Sequence, residues 1–114
     1  MRLDPQEITL YEGDDLPGFA AVLEDNAGNA LDLTTADAVY IQIRHPDGAV
    51  TEDELTITGA VSGTVTYDWT GVQTRTWGAG VHDITARAAY PADAVIAPAD
   101  RNCRLIIRPE IGNV

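Results

Sequence analysis

The stretch Gly63-Thr64-Val65-Thr66-Tyr67-Asp68-Trp69-Thr70 decides the fold. Val65, Tyr67 and Trp69 alternate with Thr64, Thr66 and Asp68, a period of two. Successive side chains of an extended chain leave opposite faces, so one face here is apolar and aromatic and the other polar. The segment predicts a half-buried β-strand at the centre of an all-β core. Trp69 is its largest side chain, and burying a group of that size contributes roughly 2–3 kcal/mol.

The same alternation recurs to either side. Residues 7–11 read as a first strand, and 17–23 as a second with Phe19, Ala21 and Leu23 on one face. Asp25-Asn26-Ala27-Gly28-Asn29 is a hairpin loop, because Asn and Gly tolerate positive φ. Leu31 and Leu33 suggest a short return strand. Residues 39–44 form a strong strand with Val39, Ile41 and Ile43 inward, closed by the turn His45-Pro46-Asp47-Gly48. Residues 51–54 are acidic and read as solvated, and 55–58 resume extended structure. Residues 72–77 are too short for an independent helix and are read as one turn at most. Strands follow at 81–88 and 103–108, the second with Leu105 and Ile107 inward and Arg104 and Arg108 outward. About eight or nine short strands at this spacing imply one sandwich or barrel domain over residues 1–114. The expected core is Val65, Tyr67, Trp69, Ile41, Ile43, Leu105 and Ile107.

Composition narrows the function. The 114 residues include 18 acids against seven basic residues, every one of them arginine, for a net charge of −11. Phosphate repulsion then argues against nucleic acid as a partner, and no basic run offsets it. No apolar run approaches the ~20 residues of a membrane span. The opening Met1-Arg2-Leu3-Asp4-Pro5 lacks the apolar core of a signal peptide, so synthesis without export is expected. A single cysteine, Cys103, excludes an intrachain disulfide and a multi-cysteine metal site.

No residues announce a reaction. Asp14-Asp15 has no placeable partner and reads as a solvated turn. The oxygen-rich loop 24–29 lacks the spacing and terminal Glu of a calcium loop. His45 and His82 are the only histidines, and the one serine, Ser62, sits in a turn with no nucleophile-elbow pattern. Cys103 opens an apolar strand and reads as a small core hydrophobe. No catalytic residue, metal site or cofactor is expected. Trp77, flanked by Thr76 and Gly78, is read first as a plug at one end of the sandwich and second as an anchor for a partner.

Several signals fall in a recognisable order: Glu12-Gly13-Asp14-Asp15-Leu16-Pro17, then Leu23-Glu24-Asp25 and Gly28, then Leu31-Asp32-Leu33-Thr34 and residues 39–44. After them come Gly63-x-Val65-x-Tyr67-x-Trp69-Thr70, Thr74, Gly80, Pro98 and Leu105-Ile106-Ile107. Over nearly the whole chain this resembles the immunoglobulin-like domain at the N-terminus of phage baseplate upper proteins, and related small prophage tail proteins. Gln73 stands where that family tends to have Asp, and His82 where an aromatic tends to follow the later glycine. The resemblance implies an immunoglobulin-like antiparallel β-sandwich and a non-enzymatic role in the virion of a tailed virus. Such a protein, made in the host cytoplasm, would serve in the tail, baseplate or neck or decorate the capsid. Its partners would be other virion proteins and further copies of itself in a symmetric oligomer or array. The last strand, 103–108, is read in two ways: as an exposed edge with Arg104 and Arg108 meeting acids on a neighbouring copy, or as a mid-sheet strand with those arginines solvated. The competing expectation is a carbohydrate-binding or cell-surface adhesion module, against which the lack of a signal peptide counts.

Overall fold

The computed structural model describes residues 2–3, 6–25, 27–91, 95–96 and 103–109. Its strands are β1 (Arg2–Leu3), β2 (Gln6–Tyr11), β3 (Phe19–Glu24), β4 (Ala38–Arg44), β5 (Val50–Glu54), β6 (Thr56–Gly59), β7 (Thr64–Tyr67), β8 (Gly80–Ala89), β9 (Val95–Ile96) and β10 (Cys103–Arg108). One helix, α1 (Gly71–Trp77), lies between β7 and β8. Two sheets face each other. One has the order β1-β3-β7-β6, the other β2-β10-β8-β4-β5, with β9 pairing β8 beyond the end of β10. This is the immunoglobulin-like arrangement, A-B-E-D against G-F-C-C′, with the opening strand divided between the sheets.

Alternation explains the layering. Ile8 and Leu10, Val39, Ile41 and Ile43, Ile84, Ala86 and Ala88, and Leu105 and Ile107 point inward from the larger sheet. Phe19, Ala21, Leu23, Val65 and Tyr67 meet them from the smaller one. All seven expected core residues are buried, as is Cys103. Trp69 follows the end of β7 and is 1% exposed, within 6.5 Å of the Phe19 ring and 6.3 Å of the Tyr67 ring. Its indole N–H donates to the Pro17 carbonyl at 3.0 Å, so the one polar atom of the ring is satisfied.

Several readings are corrected. The sandwich is not wholly antiparallel: β2 and β10 run parallel, Leu105 beside Ile8 and Ile107 beside Leu10. The last strand is not an edge. β10 lies between β2 and β8, so both its hydrogen-bonding sides are occupied and backbone pairing with another chain is closed to it. Leu31 and Leu33 form no strand. Their N–H groups donate instead to the Leu23 and Ala60 carbonyls at 2.8 and 2.7 Å, and Leu33 is buried.

The acidic segment read as solvated is the edge strand β5, paired with β4. Glu52, Asp53 and Glu54 give this edge a charge that discourages strand addition. Residues 71–77 form a helix rather than a single turn, because Thr70 and Gln73 make a reciprocal capping box. The Thr70 hydroxyl accepts from the Gln73 N–H at 3.1 Å, and the Gln73 carbonyl oxygen accepts from the Thr70 N–H at 2.8 Å. Gly63 enters β7 at φ 69°, with a Cβ there falling 2.6 Å from the Leu23 carbonyl oxygen. Only glycine fits that approach.

Candidate functional site

Of the acids singled out from the sequence, Asp14 and Asp25 are occupied locally. Asp14 and Asp15 are exposed, and the Asp14 carboxylate accepts from the Tyr11 N–H at 3.0 Å. Asp25 accepts from the N–H groups of Asn29 and Ala27, chiefly the former, which hold its carboxyl below the usual range. Ser62 bonds the Gly59 carbonyl and the Thr64 hydroxyl within its own turn. Among the described residues, no group of three or more His, Cys, Asp or Glu could hold a metal ion.

The two histidines, 37 residues apart in sequence, meet in the interior. Their Nδ1 atoms are 2.9 Å apart. His82 Nε2 lies 2.9 Å from the Gly78 carbonyl oxygen, and a carbonyl only accepts, so this nitrogen carries a proton. His82 Nδ1 is then the acceptor, and His45 Nδ1–H donates to it. His45 Nε2 accepts in turn from the Thr51 hydroxyl at 2.6 Å. The chain of bonds joins the C-terminus of α1 and strand β8 to the β4–β5 hairpin. Burial pushes both rings below the ordinary histidine value; for His45 its histidine neighbour adds to this, with Asp47 opposing. The relay ends at a backbone carbonyl and at a threonine, so it holds structure together. Trp77 caps it, half-buried, 5.3 Å from the His45 ring and 6.4 Å from Trp69. That is the plug geometry.

Thr74 is buried beneath the same helix. Its hydroxyl accepts from the Gly13 N–H at 3.1 Å and donates to the Asp14 carbonyl at 2.8 Å, tying α1 to the loop after β2. Gln73 reaches across to donate to the Tyr67 hydroxyl at 2.9 Å, and Tyr67 donates to Asp53 at 2.7 Å.

The surface with the most chemistry is the outer face of the larger sheet. Cross-strand register places Val50, Arg44, Asp83, Arg104 and Glu7 in one row across β5, β4, β8, β10 and β2. The next row toward the end of β10 holds Val81, Ile106 and Thr9. Two rows to the other side, Arg87 lies 4.3 Å over the Tyr40 ring and clamps Glu52 with two hydrogen bonds of 2.8 and 3.0 Å. That clamp, with Gln42, lowers the Glu52 carboxyl to about 2. A shallow depression between the charged row and the Arg87–Glu52 clamp is lined by Gln42, Arg44, Val50, Asp83 and Thr85. Arg108 is exposed at the end of β10, beside Tyr11. Of the residues expected to contact partners, Arg104 and Arg108 therefore share this face, and Trp77 stands apart from them at the packed end. Sequence reading picked out Thr74 as a shared signal without the role of its hydroxyl, and it missed the histidine contact and the composition of this face. The outward alternation of Val81, Asp83, Thr85 and Arg87 was visible, but the neighbours that complete each row were not.

No family model matches the chain, and no curated protein matches it.

Proposed function

We propose that this protein is a non-enzymatic structural component of a tailed virus particle. It acts as an assembly or attachment domain of the tail, baseplate or neck, or as a capsid decoration. The observation that supports this is the structural use of the residues carrying the family resemblance. Gly63 admits the Leu23 and Leu31 carbonyls, Val65, Tyr67 and Trp69 fill the core, and Thr74 locks the helix to the loop after β2. The shared signals are those of a scaffold. The histidines, Ser62 and the loop acids Asp14 and Asp25 are likewise engaged in internal bonds, which is how a rigid building block uses its polar groups. In a symmetric particle each contact recurs many times, so weak contacts per copy suffice.

The test is mass spectrometry of gradient-purified particles from cells that produce this chain. The expected result is a fixed ratio to the other structural proteins across the particle peak. Absence from the particles would overturn the proposal.

A further inference from the structure

The face of the larger sheet is electrically unlike the rest of the described residues. Its outward positions carry Arg44, Arg87, Arg104 and Arg108 against Glu7, Glu52, Glu54 and Asp83. Those eight charges cancel, whereas the described residues off this face, from Gln6 onward, carry one arginine, Arg75, against ten acids. The face also holds three of the large hydrophobic side chains that stand exposed, Tyr11, Val50 and Val81.

The order of the charges carries more information than their sum. Across β4, β8, β10 and β2 the row reads Arg44, Asp83, Arg104, Glu7: plus, minus, plus, minus. These four make no hydrogen bond or ion pair with one another. A two-fold axis parallel to the strands, midway between β8 and β10, reverses such a row when two faces meet. Arg44 then opposes Glu7 of the second copy, and Asp83 opposes its Arg104, each pair occurring twice. In the adjoining row the same operation sets Val81 against Ile106 of the second copy, apolar on apolar. We infer that this face is a self-complementary docking surface for a second copy of the chain, forming an isologous dimer with the two sheets aligned.

Size predicts a weak contact. Four strands at ~4.8 Å spacing and a ten-residue β8 at ~3.4 Å per residue limit the overlap to roughly 650 Å² per copy. That is the low end for specific interfaces. A neutral face is also what two copies of charge −11 need in order to approach. The inference deepens the assembly reading by naming its contact surface, and its test is made in solution. Failure here leaves the particle result standing, and the reverse.

The experiment is sedimentation equilibrium of the full chain in ~0.15 M salt, up to about 1 mM protein. The wild type should show a concentration-dependent monomer–dimer equilibrium. Asp83→Arg makes the row plus, plus, plus, minus, and Arg104→Asp makes it plus, minus, minus, minus. Each variant alone should self-associate about tenfold more weakly, or more weakly still, since like charges then oppose at the centre. Mixed together, the two should form a heterodimer at least as readily as the wild type dimerises, because every opposed pair is again of opposite sign. The double variant Asp83→Arg/Arg104→Asp should likewise recover self-association. A wild type that stays monomeric throughout, single variants that dimerise normally, or a mixture that does not associate would each overturn the inference. A folding defect cannot imitate recovery on mixing.

Discussion

At the scale of single residues, Trp69 and the His45–His82 pair dominate. Trp69 packs against Phe19, Tyr67 and Trp77 and donates to Pro17, so it joins the smaller sheet, α1 and the β2–β3 loop. Trp69→Ala removes that whole junction and should cost about 3–5 kcal/mol, read by denaturant unfolding; a cost below 1 kcal/mol would contradict the packing. The His45–His82 contact makes a different prediction. The pair can hold one extra proton if the Thr51 hydroxyl turns to accept, but two would set N–H against N–H across 2.9 Å. Both rings therefore stay neutral in the folded protein to a lower pH than the unfolded value of 6.5. As pH falls through 6.5 the unfolded chain takes up protons that the folded chain does not, so stability declines on acidification and is regained above neutrality. Glu52 loses its stabilisation in a separate window, between 4.5 and about 2. Histidine NMR should give both titration midpoints below 6.5, with melting temperature falling from pH 7 to pH 5. A midpoint at or above 6.5 for either ring would contradict the buried contact.

Among the elements, α1 is the one held by a small set of side-chain bonds. A seven-residue helix has little intrinsic stability. It persists because Thr70 and Gln73 cap each other and Thr74 is bonded to Gly13 and Asp14. Thr70→Ala should cost about 1 kcal/mol, and hydrogen exchange should show the faster opening confined to 71–77 and the loop it holds. The spacing Thr70-Gly71-Val72-Gln73 is the sequence signature of that capping box, so the helix was legible and was masked by its shortness. The strands were legible for a firmer reason. A period of two forces one face inward, which is why all seven expected core residues are buried. Strand order is not written in alternation. Nothing local to residues 103–108 distinguishes an edge from an interior strand, or antiparallel from parallel neighbours; that depends on where residues 6–11 dock, 97 residues earlier. Leu31 and Leu33 misled for a related reason, since a buried apolar pair can also belong to a loop pinned by single hydrogen bonds.

For the whole molecule, charge is partitioned by surface. Among the described residues, one sheet face is neutral, patterned and partly apolar, and the remainder carries an acidic excess. The excess disfavours random aggregation while the neutral face permits one specific approach. The face was only partly legible: Arg104 stood out as a contact residue, but its opposition to Asp83 follows from cross-strand register alone. The account's central claim is that the protein works on the particle through this face. Its most direct test is incorporation into purified particles of the wild type, Asp83→Arg, and the double variant Asp83→Arg/Arg104→Asp, each supplied as the sole copy. The account predicts that the single variant is depleted from particles and that the double variant returns to the wild-type level. Incorporation of Asp83→Arg at the wild-type level would contradict it.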